Sequence, residues 1–187
     1  MKAFKQIQDN FRLWLLKRAH KNVVRKRSMV GYQQAESVGI LYDATSENDY
    51  RLVTQLVKEL QQDQKKVKTL GYVTEKKMPD HCFPKLTFEF CNSASFSWDQ
   101  QPVAQNVKDF ISPSYDILIA LTPSGLHHVK YLSAISQAKM KVGRYVEKYV
   151  EVYDLMLQVD DSSSLQETSR QVMHYLKMIT NNDNKQK

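Results

Sequence analysis

The chain has 187 residues, of which 42% are hydrophobic, and a formal net charge of +7 at pH 7. This length predicts one globular domain with a substantial core. Two cysteines and the lack of any apolar run near the roughly 20 residues of a membrane-spanning helix exclude a disulfide-stapled scaffold and a transmembrane protein. Since no secretory signal is recognisable, we expect a cytoplasmic protein, and peripheral contact with a membrane stays open.

Positive charge is concentrated at the N-terminus. Residues 1–27 contain nine lysines and arginines against one acid, Asp9, so this segment carries +8 and the rest of the chain −1. Such an asymmetry predicts an anionic partner rather than a particular fold. The candidate polyanion-binding residues are Lys2, Lys5, Arg12, Lys17, Arg18, Lys21, Arg25, Lys26 and Arg27.

Residues 4–17 have the spacing of an amphipathic helix. At about 100° per residue the large apolar side chains form one stripe, with most of the charges outside it. The stripe consists of Phe4, Ile7, Phe11, Trp14 and Leu15, with Leu13 and Leu16 on its flank. We therefore predict a basic helical arm over 1–34, a single α/β domain over 35–180 and a disordered tail over 181–187.

Three roles stay open for the arm. Its apolar stripe could pack on the domain, as amphipathic helices often do. A basic helix with Trp and Phe on its apolar face also suits an anionic membrane interface, and its cations suit RNA phosphates. The run Arg25-Lys26-Arg27 favours RNA slightly, because the charge continues where the amphipathic pattern ends.

The rest of the chain alternates short apolar runs with helical periodicities. We expect strands over 37–42, 67–73, 115–121, 141–143 and 152–159 in flavodoxin-like order, with 86–90 at an edge. Strands that alternate with single helices pair in parallel, which predicts an α/β three-layer sandwich with a mostly parallel flavodoxin/Rossmann-like sheet. Ser46 with Asp49 predicts a capping box at the start of the first domain helix.

Several motifs in this part of the chain are shared with a known family. They are Gly39–Ala44, Val67–Tyr72, Tyr115–Ile119, Lys141–Gly143 and Tyr153–Met156. Through them the chain resembles, from Val38 to Ile179, an uncharacterised family of small bacterial proteins, mostly from Bacteroidetes, known only as a domain of unknown function. The resemblance implies a cytoplasmic bacterial protein and brings no activity with it.

A ligand crevice is predicted where the loops after the first and third of the five main strands meet, because open parallel sheets bind ligands there. Its predicted lining is Asp43, Thr45, Ser46, Thr122, Ser124 and Gly125. Two helix N-termini at this place favour a small anion, although Asp43 would repel phosphate unless a cation intervenes. No G-x-G-x-x-G or Walker motif is present, so plain capping by these hydroxyls is the simpler interpretation.

The sequence predicts no catalytic residue, no metal site and no cofactor. Adjacent His127 and His128 face different directions on a helix, so they do not form a chelating pair, and solvated histidine is the simpler interpretation. His81, Cys82 and Cys91 lack a fourth zinc ligand at a recognisable spacing, and buried core cysteines are the simpler interpretation. No nucleophile–base pair is recognisable, and the oligomeric state stays open.

Two functional hypotheses follow. The favoured one is a non-enzymatic interaction protein, tethered through its cationic helix to an anionic partner, with RNA or ribonucleoprotein slightly ahead of a membrane surface. The alternative is a small-molecule or nucleotide binder, or an enzyme, that uses the crevice. Exposed side chains at Phe4, Phe11 and Trp14 would favour the first hypothesis, and side chains buried against the domain would favour the second.

Overall fold

The computed structural model describes residues 2–122, 126–160 and 163–179, with the backbone alone for residues 2–5. Its strands are β1 (Ser37–Asp43), β2 (Lys66–Tyr72), β3 (Phe88–Cys91), β4 (Ile117–Leu121), β5 (Met140–Arg144) and β6 (Leu155–Leu157). Its α-helices are α1 (Lys2–Lys21), α2 (Glu47–Gln62), α3 (Gln105–Ile111), α4 (His127–Ile135) and α5 (Leu165–Met178). The predicted α/β class with an N-terminal helix is confirmed.

All six strands pair in parallel in one sheet with the order β3-β2-β1-β4-β5-β6. The five main strands keep the predicted flavodoxin-like order, and β3 beside β2 extends it to the Rossmann order. Every residue of β4 is buried, as expected for a central parallel strand with helices on both faces. The chain runs outward in opposite directions from β1 and β4, which places a switch point between their C-terminal ends.

The two faces of the sheet support separate cores. On one face, α2 and α5 contribute the apolar side chains, including Val53, Leu60 and Leu176. On the other face, α1, α3 and α4 form the second core, to which Leu16 and Leu132 belong. These two layers around the sheet are the predicted three-layer sandwich.

The segment between α1 and β1 joins the two layers. Ser28 donates its backbone N–H to the Lys139 carbonyl at 3.2 Å, just before β5. Beyond it, Val30, Tyr32 and Ala35 are buried in the core formed with α2 and α5. Val30 and Tyr32, which the sequence placed in the arm, therefore also pack in the core.

The edge strand differs from its prediction. The alternation of residues 86–90 predicted a shared face for Leu86, Phe88 and Phe90, yet Leu86 is 95% exposed and lies outside the strand. Pairing with β2 begins only at Phe88, opposite Thr69. Lys85 and Phe88 exchange backbone hydrogen bonds of 2.9 and 3.1 Å, and this turn keeps Leu86 out of the ladder. The predicted position of Leu86 is therefore wrong.

Two lysines are completely buried, Lys130 in α4 and Lys141 in β5. The Lys130 ammonium has no hydrogen-bond partner in the described part of the chain, and it lies 5.4 Å from the centre of the Tyr153 ring. Lys141 donates to the Ala134 carbonyl at 3.1 Å. Burial, with the Arg144 charge nearby, lowers the pKa of Lys130 to about 8. Burial and Arg25 lower the pKa of Lys141 to about 7.

We expect the free energy of unfolding to rise as the pH is raised from about 7 to about 8.5. In this window the unfolded chain keeps both lysines protonated, whereas the folded protein has released protons, so higher pH favours the folded state. Above this range the buried thiols of Cys82 and Cys91 oppose the rise, because burial raises their pKa to about 11 and about 12 in the folded protein. Lys130→Met should raise the free energy of unfolding at pH 7 by about 1–3 kcal/mol and flatten the rise. Urea denaturation at several pH values measures both effects. Exposed Lys68→Met is the control, and a parent stability that stays flat or falls over this range would contradict the expectation.

Candidate functional site

The N-terminal helix is docked on the domain, but through a different face from the predicted stripe. Leu16 is 4% exposed and packs in the core with α4. At the two ends of the contact, His127 Nε2 lies 3.3 Å from Asp9 Oδ1, and His20 Nδ1 lies 3.1 Å from the Ala134 carbonyl. The residues placed on the flank of the stripe, rather than its centre, thus attach the helix.

The centre of the stripe faces outward. Ile7, Phe11 and Trp14 are 66%, 45% and 52% exposed. The Phe4 side chain lies outside the described residues. The structure therefore answers the question posed by the sequence for Phe11 and Trp14: both project from the body, and packing on the domain is not their role.

The exposed residues form one continuous surface. Ile7, Phe11, Trp14 and Arg18 are spaced four, three and four residues apart and share one side of the helix; we call this set the α1 outer face. The Phe11 and Trp14 rings stack with centroids 6.0 Å apart, and the Arg18 guanidinium lies 5.4 Å from the centre of the Trp14 ring. Aromatic area and positive charge are thus presented together to solvent.

The nine predicted cations have different environments. Lys17, Arg18, Lys21 and Lys26 are exposed, and within the described ranges they have no acidic partner. Arg12 lies 3.8 Å from Asp9. Arg25 and Arg27 both contact Asp154, and the side chains of Lys2 and Lys5 lie outside the described residues.

Arg25 stabilises the fold through an ion pair. Its guanidinium makes two 2.8 Å hydrogen bonds to Asp154, and its side chain is only 4% exposed. Arg27 and the Lys141 backbone N–H also donate to this carboxylate, at 2.9 and 2.8 Å. Burial alone would raise the pKa of Asp154, but these hydrogen bonds lower it below its ordinary value. Arg25 is therefore paired within the molecule, whereas Arg27 shares the same single carboxylate and its side chain remains 60% exposed.

A small crevice lies at the switch point, as the sequence predicted for this fold. It has a volume of about 80 Å³, and Asp43 from the end of β1 and Thr122 after β4 both line it. The structure adds Asp49 from α2, Arg144 from β5 and Thr168 from α5. These three come from elements that only the fold brings together.

The other predicted crevice residues have different positions. Thr45 Oγ1 lies 3.0 Å from Thr74 Oγ1 and accepts the Thr74 backbone N–H at 3.0 Å. Ser46 is the N-cap residue of α2 but makes no side-chain capping bond, so the predicted capping box is wrong. Asp49, its expected partner, lines the crevice instead. Ser124 and Gly125 lie outside the described residues.

Two polar groups in the crevice, the Asp49 carboxylate and the Thr122 hydroxyl, lack a favourable partner among the described residues. Burial and the neighbouring Asp43 carboxylate raise the pKa of Asp49 above its ordinary value. Thr122 is 4% exposed, and its hydroxyl has no hydrogen-bond partner among the described residues. A buried polar group without a protein partner is uncommon, and the position of this hydroxyl in the wall of a cavity makes it available to a bound group.

The histidines and cysteines noted in the sequence are dispersed. His128 stacks on Tyr72 at 5.0 Å, and burial together with Arg12 lowers its pKa to about 4, so the predicted solvated histidine is wrong here. Cys82 and Cys91 are buried thiols, as predicted. Within the described ranges no three His, Cys, Asp or Glu side chains could share a metal ion.

The sheet order and the helices on both faces define a doubly wound α/β protein with an additional N-terminal helix. The chain belongs to the Family of unknown function (DUF6913), whose profile matches residues 8–179. This match begins within α1, so most of the basic helix is part of the family's domain. No curated protein and no solved structure matches the chain. None of the described helices is long and apolar enough to cross a bilayer.

Proposed function

We propose that this is a cytoplasmic, non-enzymatic interaction protein that docks on an anionic membrane surface through the α1 outer face. The observation that carries the proposal is the exposure of Ile7, Phe11 and Trp14 on a helix whose opposite face is already packed. Complete burial of a large apolar side chain contributes about 1.5–3 kcal/mol, and these three are still 45–66% exposed, so part of that gain is available. Insertion at the headgroup–acyl boundary would supply that burial.

The charges beside this face suit an anionic surface. Exposed Lys17 and Lys21 follow Trp14 by three and seven residues on the same helix, and Arg18 lies over Trp14. Each basic residue near an anionic leaflet contributes about 1 kcal/mol. Apolar insertion and headgroup attraction would then act on the same side of one helix, which is the usual design of an interfacial helix.

RNA was slightly favoured by the sequence, and two structural observations weaken that preference. The run Arg25-Lys26-Arg27 supplied the argument, yet Arg25 and Arg27 both contact Asp154. In addition, Phe11 and Trp14 stack on each other, and Arg18 covers Trp14. Aromatic platforms for RNA bases need open ring faces, whereas a lipid interface accepts a mutually stacked pair.

The test compares binding of the full chain to anionic vesicles, to vesicles of zwitterionic lipid alone and to single-stranded RNA. The double variant Phe11→Ala, Trp14→Ala should weaken partition to anionic vesicles by more than about tenfold, because it removes most of the inserted apolar area. The Lys17→Ala, Lys21→Ala variant should weaken it less, and added salt should reduce that second effect. Co-sedimentation measures the vesicle affinities, and fluorescence anisotropy measures RNA binding.

Trp98→Ala is the matched control, because Trp98 is 84% exposed but lies outside α1. It should leave vesicle binding unchanged. The surface would instead be assigned to RNA if the parent bound RNA but not vesicles. In that case the lysine variant should reduce RNA binding, and the aromatic variant should leave it unchanged. A parent protein that binds neither, or vesicle binding that survives the aromatic variant, would refute the proposal.

A further inference from the structure

The crevice between β1 and β4 has the composition of a binding site that the membrane proposal does not use. Its volume of about 80 Å³ holds several waters, or an ion with part of its hydration shell. Its walls come from α2, α5 and the ends of β1, β4 and β5, so residues far apart in sequence converge there. It shares no residue with the α1 outer face.

Carboxylates dominate the charge of the crevice wall. Asp43 uses Oδ1 to accept the Thr45 backbone N–H at 2.9 Å. For the Asp49 carboxylate, no hydrogen bond is found in the described part of the chain. Two acids that repel each other across a small cavity are stabilised by a cation placed between them.

The Thr122 hydroxyl is an independent sign of a ligand. Thr122 lines the same cavity, is 4% exposed, and has an Oγ1 without a hydrogen-bond partner among the described residues. Desolvating such a group without compensation is unfavourable. A ligand that accepts a lone pair from this oxygen would remove the penalty, and carboxylate and hydroxyl oxygens are hard donors of the kind that Mg²⁺ prefers.

An anion fits less well. The N-terminus of α2 would attract one, but its first turn already carries Glu47 and Asp49. Arg144 is the one basic residue in the described wall, and its guanidinium donates to the Val159 carbonyl at 2.6 Å. Two acids against one base leave the described lining net negative.

We infer that this crevice binds a hard divalent cation of the Mg²⁺ class, with Asp43, Asp49 and Thr122 Oγ1 as protein ligands and water as the remaining ligands. Mg²⁺ is commonly held by only one or two carboxylates and keeps several waters. The inference is independent of the proposed membrane function.

Titration of the full chain with Mn²⁺ tests the inference, because the electron paramagnetic resonance signal of the free ion reports binding directly. The parent protein should bind one Mn²⁺ saturably, with Mg²⁺ competing for the site. Asp49→Asn should weaken this binding by at least about tenfold, since loss of even an outer-shell partner weakens metal sites by ~10–100-fold. Thr122→Val, which keeps the shape but removes the oxygen, should also weaken it.

Thermal unfolding gives a second measurement. If Asp49 and Thr122 had only a structural role, their substitution would not change how far Mn²⁺ raises the melting temperature. Without metal, both variants should melt at a higher temperature than the parent, because one removes carboxylate repulsion and the other an unpartnered hydroxyl. With Mn²⁺, the parent should gain stability and the variants should gain little. Glu151→Gln, at an exposed acid outside the crevice, should behave as the parent does. Absence of saturable Mn²⁺ binding, or equal binding by parent and both variants, would overturn the inference.

Discussion

Replacing Arg25 with alanine is expected to lower the free energy of unfolding by about 3–5 kcal/mol, because it leaves the Asp154 carboxylate buried without its main partner. The two side chains are 4% and 9% exposed and share two hydrogen bonds of 2.8 Å. Arg25 also donates to the Ala138 and Lys139 carbonyls at 3.0 Å. One guanidinium thus joins the segment after α1 to the chain entering β5 and β6.

Urea denaturation at neutral pH measures this loss, and Lys26→Ala supplies the matched control, since Lys26 is the exposed neighbour in the same basic run. The control should stay within about 0.5 kcal/mol of the parent. Because hydrogen bonding lowers the pKa of Asp154, the contribution is present at neutral pH and is lost as the pH falls through that lowered value. Equal urea midpoints for the two variants would mean that the ion pair does not hold the arm.

Arg25 also illustrates what the sequence could not reveal about charge. A cluster of nine cations predicts an anionic partner, but composition does not distinguish a partner in solution from one within the fold. Asp154 lies 129 residues from Arg25 and follows the aromatic Tyr153 in an otherwise apolar run. Only the three-dimensional arrangement places them together. The cationic surface that is available to bind a polyanion is therefore smaller than the number of lysines and arginines suggests.

The central strands were predictable because a long run of consecutive apolar residues is stable only when it is buried on both faces. The stretch 115–121 has enough consecutive apolar residues to specify a strand covered on both faces, and β4 occupies that position. Short edge elements lack such a signal. In β3 four residues form the strand, and its start depends on the register with β2 and on the turn between Lys85 and Phe88, which the alternation of residues 86–90 did not reveal.

The amphipathic pattern of α1 identified a helix but not its docked face. Its strongest apolar stripe contains Phe11 and Trp14, which are exposed, whereas Leu16, which the sequence placed on the flank, lies on the opposite side of the helix and is buried. Periodicity ranks faces by hydrophobicity, while docking also depends on which face fits α4 and its polar contacts. A helix with two apolar sides can bury only one of them on its own domain. The side that stays exposed therefore indicates where a partner would bind.

The crevice was partly predictable for a topological reason. Parallel strands that diverge at a switch point place their C-terminal loops together, which was enough to locate Asp43 and Thr122. Asp49 was interpreted as a helix-capping residue because its spacing from Ser46 fits that motif equally well. Arg144 gave no local signal, since its role depends on the position of β5 beside β4.

Shortening either central side chain of β4 is expected to destabilise the protein strongly. Ile117 and Leu118 are completely buried, and as neighbours in a strand they point to opposite faces of the sheet. Ile117 packs in the core with α2 and α5, and Leu118 in the core with α1, α3 and α4. Ile117→Ala and Leu118→Ala should each lower the free energy of unfolding by about 2–5 kcal/mol, the transfer and cavity cost of a buried aliphatic side chain.

Because the two substitutions affect different layers, comparing them tests the three-layer arrangement as well as the central position of β4. Urea denaturation should show a lower midpoint for each variant with an unchanged slope, which indicates lost stability rather than a changed unfolded state. Val103→Ala, at a position 52% exposed, should change the free energy of unfolding by less than about 0.5 kcal/mol. If only one of the two core variants were destabilised, the face of the unaffected side chain would not be a packed layer, because a buried aliphatic group cannot be removed there without cost.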